Sequence, residues 1–155
     1  MLRGYQVDDL EAMYALDVVC FERAFRFTRG AMRRYAEAKK ARVVIAEEGD
    51  ALVGFVILHV EQEPEEEERI GYVVTLDVEP ALRRRGVAGS LMSEVERLAR
   101  SAGCTALVLH VFTGNDAAIR FYASDGFARS HRAEGFYGWG VDAWVYSKRL
   151  LPIVD

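Results

Sequence analysis

The stretch "LDVEPALRRRGVAGSLMSEVERLAR", residues 76–100, sets three arginines and a glycine between the end of an apolar strand and an amphipathic run. Val87, Leu91, Val95 and Leu98 fall on one face of that run and Glu94, Arg97 and Arg100 off it, which predicts a helix from about Gly86 to Ser101. Gly103 stops it. The first turn of a helix has unpaired N–H groups and the positive end of the dipole, so the junction suits an anion. Gly86 lacks the Cβ that obstructs close approach, and Ala88 and Gly89 keep the next turn slim. The chain has neither the G-K-[ST] of a P-loop nor the G-x-G-x-x-G of a dinucleotide fold. On these residues alone, a phosphate site and a plain strand-to-helix turn with solvated arginines stand at even odds.

Outward from this junction, residues 70–78 and 105–112 read as strands, so the unit spanning them predicts a right-handed crossover between parallel neighbours. "TALVLHVF" (105–112) is apolar on both alternating faces, the pattern of a central strand covered on both sides. Toward the N-terminus, "LRGYQ" (2–6) reads as a short strand. Asp8 and Asp9 then offer a cap for a helix carrying Leu10, Met13, Tyr14 and Leu16. Thr28 caps a second helix through about Lys40, and segments 42–48 and 51–62 form a hairpin around "GD". Six glutamates in residues 61–68 read as a solvated loop. Toward the C-terminus, Asn115 caps a helix with Ala118, Phe121 and Tyr122, ended by Gly126. Two strands follow around a Gly-rich aromatic turn. The order β-α-α-β-β-β-α-β-α-β-β predicts one α/β domain over residues 1–155, a mixed sheet of about seven strands flanked by about four helices.

Composition narrows the class. With 155 residues the chain is long enough for one domain that buries about 68–70% of its unfolded surface. Apolar residues make up 51% and no run approaches the ~20 needed to span a membrane. "MLRGYQVDDLEAMY" is polar from its third residue and has no apolar centre of the kind a signal peptide carries. Two cysteines, Cys20 and Cys104, without a CxxC predict a reduced cytoplasmic chain with no disulfide framework and no metal. A net charge of −4 argues against nucleic acid as a partner, so the arginine cluster needs a local reason.

The residues R-x-x-G-x-A at Arg83, Gly86 and Ala88 resemble the acetyl-coenzyme A signature of the GNAT acetyltransferase superfamily. "NDAAIRFYASDGF" (115–127) resembles the helix that follows in that superfamily, N-x-x-A-x-x-x-Y-x-x-x-G-F, and the element order agrees over essentially the whole chain. The resemblance implies acetyl-CoA as cosubstrate, with main-chain N–H groups of Arg84, Arg85, Gly86, Val87, Ala88, Gly89 and Ser90 around its pyrophosphate. It further implies that the main chain of Leu76 and Val78 pairs with the pantetheine arm. Asn115 and Tyr122 then lie near the thioester, and one of Arg83, Arg84 and Arg85 reaches the 3′-phosphate.

"GYVVTLDV", "LHV" and "FY" (136–137) resemble the branch that acetylates protein N-terminal α-amines, including RimI-like bacterial enzymes. In parts of that branch the positions matching Tyr72 and His110 bind and deprotonate the amine, and the positions matching Phe136 and Tyr137 hold the peptide. RimI-like members often carry Glu where this chain has His110. Taken alone, His110 reads as a satisfied core histidine and Tyr72 as a packing residue. An unperturbed His titrates near ~6.5, an α-amine near ~8 and a lysine near ~10.4, so neutral lysine costs about 3 kcal/mol more to reach at neutral pH. That difference favours an α-amine acceptor. Tyr122 is the candidate acid for the departing thiolate, while Cys104 reads as structural. Phe25 and Phe27 stand among five arginines in residues 20–35 and either line a pocket for the first peptide residue or staple two helices together. The expected function is therefore acetyl transfer to a protein or peptide N-terminus by direct attack. The alternatives are a small amine, polyamine or lysine acceptor, and a non-catalytic CoA-binding module. Oligomeric state is not legible.

Overall fold

The computed structural model describes residues 1–152. Seven strands form one sheet: β1 (Leu2–Gly4), β2 (Ala41–Glu48), β3 (Ala51–Glu61), β4 (Arg69–Val78), β5 (Cys104–Phe112), β6 (Ala128–Gly138) and β7 (Val141–Arg149). Their spatial order is β1-β2-β3-β4-β5-β7-β6. Every neighbouring pair is antiparallel except β4 and β5, which run parallel because a helix carries the chain across between them. The helices are α1 (Leu10–Cys20), α2 (Arg29–Glu37), α3 (Val87–Ser101) and α4 (Asp116–Ser124).

The apolar stripe of α3, Leu91, Met92, Val95 and Ala99, packs on one face of the sheet against Val56, Leu58, Val73 and Leu107. α4 joins that layer through Ala118, Ile119, Phe121 and Tyr122. On the other face, Met13 and Leu16 of α1 and Met32 and Ala36 of α2 cover Ile45, Phe55 and Ile57. Gly54 permits the close approach of α3, since a Cβ there meets the Asp77 carbonyl and Leu91 at 3.1 Å and Val87 at 3.3 Å.

Two differences from the sequence pattern shape the site. α1 and α2 pack mainly on β2, β3 and β4, so the second face of β5 is only partly covered. Leu107, Leu109 and Val111 are buried, whereas Val108, His110 and Phe112 are half-buried along a cleft. The expected double covering is incomplete: on that face β5 meets Phe25 and Phe136 rather than α1 or α2. Second, the β4–β5 ladder ends at Val73–Leu109, although β4 continues to Val78 and β5 to Phe112. On its other side β4 pairs Val73 with Leu58 and Thr75 with Ile57, leaving Val74 as a bulged extra residue. A bulge bends its strand. β4 therefore stays with β3 and β5 with β7, and the sheet splays open between them.

Candidate active site

The splay places one edge of β4, residues 74–78, without a strand partner. Pro80–Leu82 form a short 3-10 turn, and the chain then enters α3 through two left-handed residues, Arg84 at φ +71° and Gly86 at φ +85°. Gly86 is the residue before the helix rather than its first turn, and it carries no capping side chain. Arg85 N–H bonds Leu82 C=O at 3.3 Å and Ser90 N–H closes the first helical bond to Gly86 C=O at 3.0 Å. The N–H groups of Gly86, Val87, Ala88 and Gly89 have no main-chain partner among the described residues. Ser90 is thus already engaged, while the N–H of Arg84 joins those four as the free donors of this turn. Arg83, Arg84 and Arg85 are all exposed at its rim. Arg83 lies inward, close enough for its charge to oppose the rise in the pKa of both Cys20 and Asp77. Val78 C=O accepts the Cys20 thiol at 3.3 Å, while Leu76 is half-buried toward α3.

Past the splay, α4 begins at Asn115, whose side-chain oxygen accepts the Ala118 N–H at 3.2 Å. The amide oxygen is therefore engaged in capping, and the cap makes no use of the amide N–H donors. Tyr122, only 8% exposed, packs edge-on against Phe121 and Phe127. Burial raises its hydroxyl above the usual phenol range, which keeps it protonated as a donor.

The half-buried face of β5 carries the second half of the site. Tyr72 stands opposite Val108 in the parallel ladder, so His110, two residues on, shares its face. Tyr72 hydroxyl and His110 Nδ1 lie 2.8 Å apart. Burial is the main cause of both their shifts. It raises Tyr72 beyond the usual phenol range, and it lowers His110, helped by the charge of His131. At neutral pH the pair is therefore a neutral imidazole and an intact hydroxyl. When the hydroxyl donates to Nδ1, the ring proton sits on Nε2 and the phenol oxygen still has a lone pair for an outside donor.

Aromatic rings close the site. Phe136 stacks on His110 with centroids 3.8 Å apart and planes within 5°, although Phe136 is itself 46% exposed. Tyr137 meets Phe136 edge-on at 4.9 Å and Phe25 at 4.9 Å, and burial pushes its hydroxyl up to about 12. Phe25 also contacts Phe112 at 4.8 Å. The structure thus gathers Phe25, Tyr72, His110, Phe136 and Tyr137. Phe27 points elsewhere: it packs on Tyr35 at 5.4 Å within the α1–α2 layer, and its N–H bonds Asp17 at 2.8 Å. Phe112 was missed although it lies two residues beyond His110, and that spacing was signal enough. The buried Asp17 and Asp77 were also missed; only the charge inside "TLDV" hinted at the second.

Among the described residues, no group of three or more His, Cys, Asp or Glu is placed to hold a metal ion, and no helix is long and apolar enough to cross a membrane.

Residues 10–127 match the family described as Acetyltransferase (GNAT) family. The chain is 36% identical over 103 residues to histone acetyltransferase MCC1 of Arabidopsis thaliana, covering 57% of this chain and 41% of that one. It is 24% identical over 151 residues to N-alpha-acetyltransferase daf-31 of Caenorhabditis elegans, covering 96% of this chain and 82% of that one. It therefore spans about two-fifths of the first relative's length and most of the second's. Among solved structures, Naa50 of Arabidopsis thaliana in complex with the bisubstrate analogue CoA-Ac-MVNAL superposes with a TM-score of 0.81 at 25% identity, over 97% of this chain and 98% of that one.

Proposed function

We propose that this chain, which belongs to the acetyltransferase (GNAT) family, moves the acetyl group of acetyl-CoA to the α-amine of a protein or peptide N-terminus. The observation that carries the acceptor half is the Tyr72–His110 contact of 2.8 Å, on neighbouring strands beside the splay and under the Phe136–Tyr137 wall. The residues present suit acetyl-CoA. Four adjoining free N–H groups and three exposed arginines suit its phosphates, and the unpaired edge of β4 suits an amide-bearing arm.

Acetyl-CoA supplies an activated thioester carbonyl. The chain's residues manage protons and position. An incoming ammonium donates to the Tyr72 oxygen while the Tyr72 hydroxyl proton passes to His110 Nδ1, which leaves a neutral amine and an imidazolium. The amine lone pair then attacks the carbonyl carbon, the carbon–sulfur bond breaks, and the Tyr122 hydroxyl protonates the departing sulfur. Tyr122 takes back the proton that the new amide nitrogen sheds, and His110 returns its own to water. Each atom balances without a covalent enzyme intermediate.

A base whose pKa is lowered below ~6.5 matches an α-amine near ~8 far better than a lysine near ~10.4. The similarity to daf-31 and to Naa50 points the same way. A second reading, a lysine or small-amine acceptor, draws on the similarity to a histone acetyltransferase. CoA release with short peptides varied at residue one, each with a free and a blocked N-terminus, beside lysine and polyamine controls, separates the two. Turnover that disappears on blocking is expected. Turnover on the controls alone selects the second reading, and binding of acetyl-CoA without any turnover selects a binding module.

A further inference from the structure

Asp17 on α1 and Asp77 on β4 are both fully buried, and neither takes part in the chemistry above. Two carboxyls side by side in an apolar interior are costly unless their oxygens find partners. Asp17 Oδ2 accepts the Phe27 N–H at 2.8 Å, and Asp77 Oδ1 accepts the Thr75 hydroxyl at 2.6 Å. The remaining oxygens, Asp17 Oδ1 and Asp77 Oδ2, are buried without a donor, and after burial each carboxyl is the largest influence on the other's proton. One proton between them satisfies both oxygens at once.

The surrounding groups leave that proton in place. Burial is the largest influence on both acids and raises both. Arg26 faces Asp17 and Arg83 faces Asp77, each a smaller opposing influence than burial. The nearby Cys20 thiol, pushed up to about 11, and the Tyr122 hydroxyl both remain neutral.

The pair joins two parts of the site. Asp17 sits near the end of α1 and holds Phe27, at the far end of the loop that carries Phe25. Asp77 sits on the splayed end of β4, between the two residues expected to run beside the pantetheine arm. The Cys20–Val78 contact ties the same two elements a second time. We propose that Asp17 and Asp77 share one proton and act as positioning residues, fixing the acceptor loop with Phe25 to the splayed end of β4. The kinetic half of this inference rests on the acetyl-transfer reading; the shared proton does not.

Infrared difference spectra at pH 6, where ordinary aspartates are ionised, test the proton, and peptide kinetics test the positioning. The wild-type protein is expected to show a protonated-carboxyl C=O band that disappears in Asp77→Asn. Its absence from the wild type overturns the shared proton whether or not any acceptor is found. Asn at 77 keeps the shape and the net charge and supplies an N–H donor for Asp17 Oδ1, so its kcat/KM for peptide is expected within about twofold of wild type. Asp77→Leu strands Asp17 Oδ1, so kcat/KM for peptide is expected to fall about tenfold to a hundredfold, with the Kd for acetyl-CoA unchanged. Amide exchange of Phe27 is expected to be slow in wild type and Asp77→Asn. It should be fast in Asp17→Ala, which removes its acceptor. Equal losses in Asn and Leu variants, or fast exchange in all of them, overturn the positioning role.

Discussion

In the proposed reaction the acceptor chemistry turns on His110, whose neutral ring takes the proton from Tyr72. Its pKa is lowered, chiefly by burial, so the ring is neutral at pH 7 and becomes charged only as pH falls below the usual ~6.5. Turnover is therefore expected to drop as pH falls through that lowered value, while kcat/KM for peptide, which draws on the neutral ring and the ammonium form of the acceptor, levels off above it and declines past the α-amine pKa near ~8. His110→Ala should lose about 10²- to 10⁴-fold in kcat, erase the acid limb and leave acetyl-CoA affinity intact. Equal losses in turnover and in acetyl-CoA affinity count against the assignment. Tyr72→Phe keeps the ring and removes the hydroxyl. If the two residues form one relay, the double variant is no slower than the slower single variant, which a double-mutant cycle measures directly.

At the scale of the element, the entry to α3 is the most constrained part of the backbone. Gly86 holds φ +85° with open space where its Cβ would point, so the protein itself would not clash with a side chain there. The cost of Gly86→Val is then conformational, about 1–2 kcal/mol for a left-handed L-residue, and it is read by denaturant unfolding. A larger effect is expected on acetyl-CoA binding, because the new side chain stands beside the free N–H groups of the first turn. Calorimetric titration that found normal affinity in a folded Gly86→Val protein would contradict the anion-cradle assignment. The bulge at Val74 is the other constrained element: it separates β4 from β5 and so gives both the unpaired edge of β4 and the cleft face of β5 their exposure.

At the scale of the whole molecule, the acid pair links the two layers of the fold to pH. Unfolded aspartates titrate near ~3.9, whereas the folded pair retains a proton well above that range. The folded state thus binds the extra proton, and its contribution is complete below pH ~4 and lost as pH rises through the raised value. The sign is the reverse of that for Asp9, whose carboxyl is held below the usual range by Arg3. Relative to Asp77→Asn, wild type should lose stability by up to about 1.4 kcal/mol per pH unit in that window. Urea midpoints of the two proteins from pH 4 to pH 8 check this. A constant difference across the range would mean that the folded pair holds no extra proton and would contradict the shared proton.

The arginine–glycine junction, the element order, the caps at Thr28 and Asn115 and the period-2 placement of His110 were all legible in the sequence. Each depends on interactions within a few residues, such as helical periodicity, a side chain reaching its own first turn, or alternation along one strand. The tertiary structure alone decided the rest. It turned Phe25 into the site and Phe27 into the α1–α2 layer, left one face of β5 only partly covered, and brought Asp17 against Asp77. Those outcomes depend on strand register and on which helices reach which strands. They are set by burial between residues far apart in the chain, and no local pattern of side chains encodes them.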